Sequence, residues 1–266
     1  MASVKPAIII VTGAWVPPSI YGSLGDPLRV AGYEVYTTAH KTNTSEPFQP
    51  LPTPYDDAEP LRELTTRLAD EGKDIMFVMH SYGGLPGSIA SQGLGKKQRQ
   101  EQGKPGGVVR LFYITAWIAE QGKMGMDSVP VGSYPRVDKF PVEHIVQDGW
   151  IKLNLEGNFD WLWEDVSTEQ AREYASQMMW CSGLQGATTI SEAGYKEIPV
   201  SYLVAEHDNV FVPSTQYHWI GLIKDSTTQE VDVHTLPVPH MLMHGDVQKV
   251  EEVVKLVERV AGERLE

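Results

Sequence analysis

"FVMHSYGGLPG", residues 77–87, joins an apolar run ending at His80 to Ser81, Tyr82 and two glycines. The β-branched and aromatic residues before Ser81 predict a strand, and "YGGLPGSIASQ" after it predicts a helix. A serine at that junction either caps the helix or is displayed by the turn. In the G-x-S-x-G elbow, small neighbours let strand and helix approach and leave the serine Oγ exposed. Gly83 supplies the second glycine, and Met79 stands where the first is expected.

Outward from this point, further buried-strand patterns lie at 7–13 ("AIIIVTG"), 33–39, 74–80, 108–116, 200–206 and 230–236. Helical stripes lie between several of them. Residues 58–71 align Leu61, Leu64 and Leu68, and residues 246–262 align valines with Leu256 behind Asp246 as an N-cap. Strands alternating with helices predict an α/β fold with a parallel sheet covered on both faces.

Two segments break the alternation. Residues 93–107 are polar and glycine-rich and read as a mobile surface loop. Residues 117–198 hold five of the seven tryptophans and no clear strand. They are expected to be a mainly helical cap inserted over the sheet, whose core is then 1–116 and 199–266.

In such sheets, ligands meet the carboxyl ends of strands. A serine hydroxyl becomes a nucleophile only with a base in reach and an acid orienting that base. The strand at 200–206 is followed by Asp208, and that at 230–236 by His240 and His244. The chain order Ser81, Asp208, His240 is that of a nucleophile–acid–base set on this kind of sheet. Glu206 and Asp127 stand as alternative acids. His240 and His244 share a helical face, but "HMLMH" lacks the glutamate of H-E-x-x-H, and no metal is expected. His80 is expected to pack behind the elbow, and at least one tryptophan of the insertion to line the pocket.

These residues resemble the α/β-hydrolase superfamily, in particular an esterase-like branch with plant methylesterases, hydroxynitrile lyases and fungal hydrolases. The similarity is carried by "VTGAWVPPSIYGSL", "HSYGG", "LFYITAWIAEQG", "IPVSYLVAEHDNVFVP" and "PVPHMLMHGD". It implies an α/β-hydrolase fold with a helical cap and Ser81, Asp208 and His240 as the catalytic triad. It also implies Ala14 and Tyr82 amides as oxyanion donors, with Trp15 beside the substrate. Thr12-Gly13 replaces the usual H-G, and Pro239 the glycine before the base. The implied activity is a cofactor-free serine hydrolase of an ester, thioester or lactone of a small apolar molecule. A lyase, cyclase or isomerase using His240 as acid–base is the alternative, and a ligand-binding receptor a third.

The totals agree with this frame. The 266 residues carry a formal charge of −13, which disfavours nucleic acid and anionic lipid as partners. Cys181, the single cysteine, allows no internal disulfide and fits a reducing, cytoplasmic setting. It lies in an apolar stretch and reads as an inert thiol. The run after Lys5 resembles a signal peptide but is short and β-branched, so a strand is expected. No run reaches the roughly 18 apolar residues of a membrane span. A homodimer is compatible with all of this.

Overall fold

The computed structural model describes residues 5–130, 143–229 and 231–262. Its centre is a six-stranded parallel sheet: β1 (Ala7–Val11), β2 (Val35–Thr37), β3 (Asp74–His80), β4 (Gly107–Ile114), β5 (Val200–Ala205) and β6 (Val231–Leu236). Their spatial order is β6-β5-β4-β3-β1-β2. β1 is buried throughout, as its continuous Ala-Ile-Ile-Ile-Val run requires of a strand covered on both faces. Each such side chain contributes roughly 1.5–3 kcal/mol on leaving water.

Five helices accompany the sheet: α1 (Gly22–Val30), α2 (Pro54–Asp70), α3 (Gly84–Ser91), α4 (Pro213–Ser226) and α5 (Val247–Gly262). α2 begins before the expected residue 58. Pro54 suits the first helical position, and the Asp56 carboxylate accepts the Thr53 N–H at 2.7 Å. The early start carries Asp57 into the interior, where it is 2% exposed. α5 buries Val250, Val253, Val254, Leu256, Val257 and Val260. Asp246 caps it as expected, its Oδ1 accepting the Gln248 N–H at 2.7 Å. No helix among the described residues is long and apolar enough to cross a membrane.

Two expectations need correcting. Residues 93–107 are not simply a surface loop, because Lys96–Glu101 form a helix. Its Arg99 is buried and donates to Asp70 and to the carbonyls of Pro105 and Gly106. The insertion 117–198 is not mainly helical either. Glu143–Gln147, Trp150–Asn154 and Trp180–Ser182 join Asn43–Thr44 in an antiparallel sheet. Thr168–Ser176 is its longest described helix. Residues 131–142 of this expected cap lie outside the described residues.

The insertion packs on loops that follow the sheet strands. Met179 donates its N–H to the Trp15 carbonyl, Met241 to that of Leu162, and the Asn209 side-chain amide to that of Asp160. The loops after β1, β5 and β6 therefore lie beneath it.

Candidate active site

Ser81 leaves the end of β3 with φ at 53°. That left-handed conformation costs a non-glycine residue of order 1–3 kcal/mol and is the signature of a strained, displayed turn. Two contacts hold it. The Trp117 N–H donates to the Ser81 carbonyl at 2.8 Å. Gly83 lies so close to β1 that a Cβ there would sit 2.4 Å from the Val11 carbonyl oxygen. Met79, in the place of the elbow's first glycine, is accommodated from the other side. A Cβ on Gly87 of α3 would fall 2.3 Å from the Met79 Sδ.

The structure brings the three residues together. His240 Nε2 lies 2.9 Å from Ser81 Oγ, and His240 Nδ1 lies 2.7 Å from Asp208 Oδ2. All three are buried, at 7%, 4% and 2% exposure for Ser81, His240 and Asp208. The carboxylate is closely held. Its Oδ1 accepts the N–H groups of Val210 at 2.6 Å and Phe211 at 2.8 Å. Its Oδ2 also accepts the hydroxyl of Thr115. β4 lies between the serine strand β3 and the acid strand β5, so Thr115, the residue just after β4, reaches the acid directly. Gln216 of α4 clamps the same loop, accepting the Ala205 N–H and donating to the carbonyls of Ala205 and Phe211.

The alternative acids lie elsewhere. Glu206 is exposed, and Asp127 is an exposed turn residue whose carboxylate accepts the Met124 N–H. His244 is turned away from Ser81. It stacks on Tyr174 with ring centroids 3.8 Å apart, and its Nδ1 accepts the Trp163 indole N–H at 3.2 Å. Burial pushes its pKa down to about 4. Among the described residues, no group of three His, Cys, Asp or Glu side chains is placed to hold a metal ion. Burial raises the Cys181 thiol well above its ordinary value, so it stays protonated and unreactive.

His80 lies behind the elbow, as expected. Its Nε2 is 2.9 Å from the His240 carbonyl and must donate there. Its Nδ1 then accepts the Tyr21 hydroxyl at 2.8 Å, and that hydroxyl accepts the Gly13 N–H at 2.7 Å. Burial, and secondarily the charge His240 can carry, push the His80 pKa well below its usual value. The folded protein holds this ring neutral, while the unfolded chain takes up a proton below about pH 6.5. Its contribution is therefore complete above that pH and is lost as pH falls. Denaturation midpoints at about pH 7 and about pH 5 should differ less for His80→Gln than for the wild type. Equal differences would contradict a buried neutral His80.

Ala14 lies between two committed amides. The N–H of Gly13 is taken by Tyr21, and that of Trp15 donates to Asn43 Oδ1 at 3.2 Å. Ala14 itself has no hydrogen-bond acceptor for its N–H among the described residues. Tyr82 is the second residue of the short turn Ser81–Gly83 after β3, where the first N–H groups lack an internal partner. Trp15 is half-buried with φ at 62°, and its indole N–H donates to the Ile151 carbonyl at 3.1 Å. Phe211 meets the His240 ring edge-on at 5.4 Å and the half-buried Trp117 at 6.1 Å. Thr115 and Phe211 were not singled out by the sequence. Thr115 carries one signal, its place immediately after a buried strand.

Comparison with known proteins places the chain in a family. Residues 8–254 match the model of the alpha/beta hydrolase family. The chain is 28% identical to "Probable hydrolase R7" of a Phoma species over 250 residues, covering 94% of this chain and 97% of that protein. It is 32% identical to "Alpha/beta hydrolase nvfD" of Aspergillus novofumigatus over 209 residues, covering 77% of this chain and 78% of that one. Among solved structures, a pyrethroid hydrolase from Sphingobium faniae JZ-2 superposes with a TM-score of 0.73 at 18% identity, covering 97% of this chain and 98% of that chain. The chain belongs to the alpha/beta hydrolase family.

Proposed function

We propose that the protein is a serine hydrolase cleaving an ester, thioester or lactone of a small apolar molecule, without a cofactor. One observation carries this reading: Ser81 Oγ, the His240 ring and the Asp208 carboxylate form a continuous line of contacts of 2.9 and 2.7 Å. The names of the fungal relatives, both hydrolases, support it. Ser81 Oγ attacks the carbonyl carbon while His240 Nε2 accepts its proton. The N–H groups of Ala14 and Tyr82 donate to the oxyanion, each such donor supplying about 3–4 kcal/mol in a favourable case. His240 returns the proton to the departing alcohol or thiol. Water, activated by the same ring, then releases the acid. Asp208 holds Nδ1–H and stabilises the cation. The rings of Phe211 and Trp117 favour an apolar substrate, and the insertion 117–198 acts as a cap that excludes water.

A fluorophosphonate should add its mass to the peptide containing Ser81, and Ser81→Ala should abolish the adduct. In oxygen-18 water, the acid product should carry one solvent oxygen. Turnover that survives in Ser81→Ala but is lost in His240→Ala would overturn the acyl-enzyme and leave proton transfer by His240, as in a lyase or cyclase.

A further inference from the structure

We infer that Asn43 and Gln185 are positioning residues that set the oxyanion loop and tie it to the insertion; this rests on the serine-hydrolase reading above. The starting point is the loop Gly13–Trp15 after β1. The Asn43 side chain grips it on both sides of Ala14: Nδ2 donates to the Gly13 carbonyl at 2.8 Å, and Oδ1 accepts the Trp15 N–H at 3.2 Å. Reversing the amide would set oxygen against the Gly13 carbonyl, so one orientation satisfies both. Of the three loop N–H groups, those of Gly13 and Trp15 are engaged, and that of Ala14 has no acceptor among the described residues. Trp15, in a left-handed conformation that a tryptophan does not adopt unaided, is fastened at three points. These are Asn43 on its N–H, Met179 on its carbonyl and Ile151 on its indole.

Gln185 joins this grip to the insertion. It is 5% exposed, and its Nε2 donates to Asn43 Oδ1 at 3.2 Å and to Thr42 Oγ1 at 2.8 Å. Thr42 Oγ1 in turn donates to Asp57 Oδ2 at 2.5 Å, which accepts the Tyr82 hydroxyl at 2.6 Å. Burial and the Asp57 charge push the Tyr82 phenol well above its usual range, so it remains a donor. One buried amide thus branches toward both oxyanion positions. One branch runs through Asn43 to the loop holding Ala14, the other through Thr42 and Asp57 to Tyr82. Such a network fixes a backbone donor only as well as its least-satisfied member. Seating of the insertion is then felt as oxyanion stabilisation rather than substrate affinity.

Hydrolysis of p-nitrophenyl acetate tests this, with kcat expressed per serine labelled by fluorophosphonate. Asn43→Ala should lower kcat by about 10–100-fold with little change in KM, a partial loss of one donor's roughly 10²–10³-fold effect. Gln185→Met keeps the volume and removes the donor, and should lower kcat by about 3–10-fold. The double variant should be less damaging than the product of the two single effects, because Gln185 acts on this loop through Asn43 and only its Thr42 branch is independent of it. The acid limb of the pH–rate profile should not move, since neither residue touches His240 or Asp208; a general loosening of the site would shift it. If Asn43→Ala fails to fold, Gln185→Met decides. Wild-type kcat in Gln185→Met, or a loss confined to KM, overturns the inference while the hydrolase reading stands. A wild-type enzyme that the phosphonate does not label overturns both.

Discussion

Ser81→Ala is expected to lower turnover of an activated ester by about 10⁴-fold or more, with a melting temperature close to that of the wild type. The hydroxyl is the group aimed at His240 Nε2, and alanine leaves no atom to form an acyl intermediate. The stability cost is small for two reasons. Alanine meets the same left-handed backbone constraint at φ 53° as serine does, so no new strain is introduced. The hydroxyl's partner, His240 Nε2, faces the site where water can replace it, which keeps the change within about 1 kcal/mol. Steady-state kinetics beside a thermal melt check both halves. Activity within tenfold of wild type would remove Ser81 from the mechanism.

Asp208→Asn is expected to cost about 10⁴-fold in kcat at neutral pH. The direction follows from how the carboxylate is held. Its Oδ1 faces two N–H groups, from Val210 and Phe211, so the asparagine oxygen must take that side. The new NH₂ then points at His240 Nδ1 and donates to it. Nδ1 becomes an acceptor, the proton moves to Nε2, and the ring can no longer accept a proton from Ser81. The same NH₂ meets the Thr115 hydroxyl, which can turn to accept, so the loop should keep its shape. Kinetics at neutral pH with a near-ultraviolet dichroism spectrum would show loss of rate without loss of fold. Near wild-type kcat would show that the imidazole does not depend on Asp208 for its tautomer.

The sheet was legible because its four central strands, β1, β3, β4 and β5, are apolar runs of the kind a strand buried on both faces accommodates, while the edge strands β2 and β6 are half exposed. Ser81, Asp208 and His240 were legible as a candidate set because each follows a strand end, in the chain order that goes with this kind of sheet. The insertion was misread for a local reason. "EHIVQ" and "WIKLN" flank Asp148-Gly149, a pair whose positive φ angles, 49° and 84°, belong to a tight hairpin turn. The tryptophans of this segment suggest packed helices, and the hairpin signal is confined to two residues between them. Arg99 was hidden by its polar surroundings, although its guanidinium satisfies carbonyls that its own loop leaves open. Asn43 and Gln185 had no sequence signature, because their partners lie up to 143 positions away, and Thr115 had only its place after a strand. Nothing local marks an amide whose task is to hold a distant loop.

Met79 and Gly87 divide between them a requirement that one glycine meets in the usual elbow. The thioether fills the space that α3 leaves open at Gly87, so a side chain at 87 is excluded while Met79 keeps this position. Restoring glycine at 79 alone empties a buried site; adding a methyl at 87 alone drives it into sulfur. The two positions therefore form an epistatic pair. A lineage carrying methionine here reaches the familiar elbow only by changing both sites, or by passing through a less stable intermediate. The departure that makes this elbow look degenerate is, in mutational terms, a second stable solution to the same packing problem.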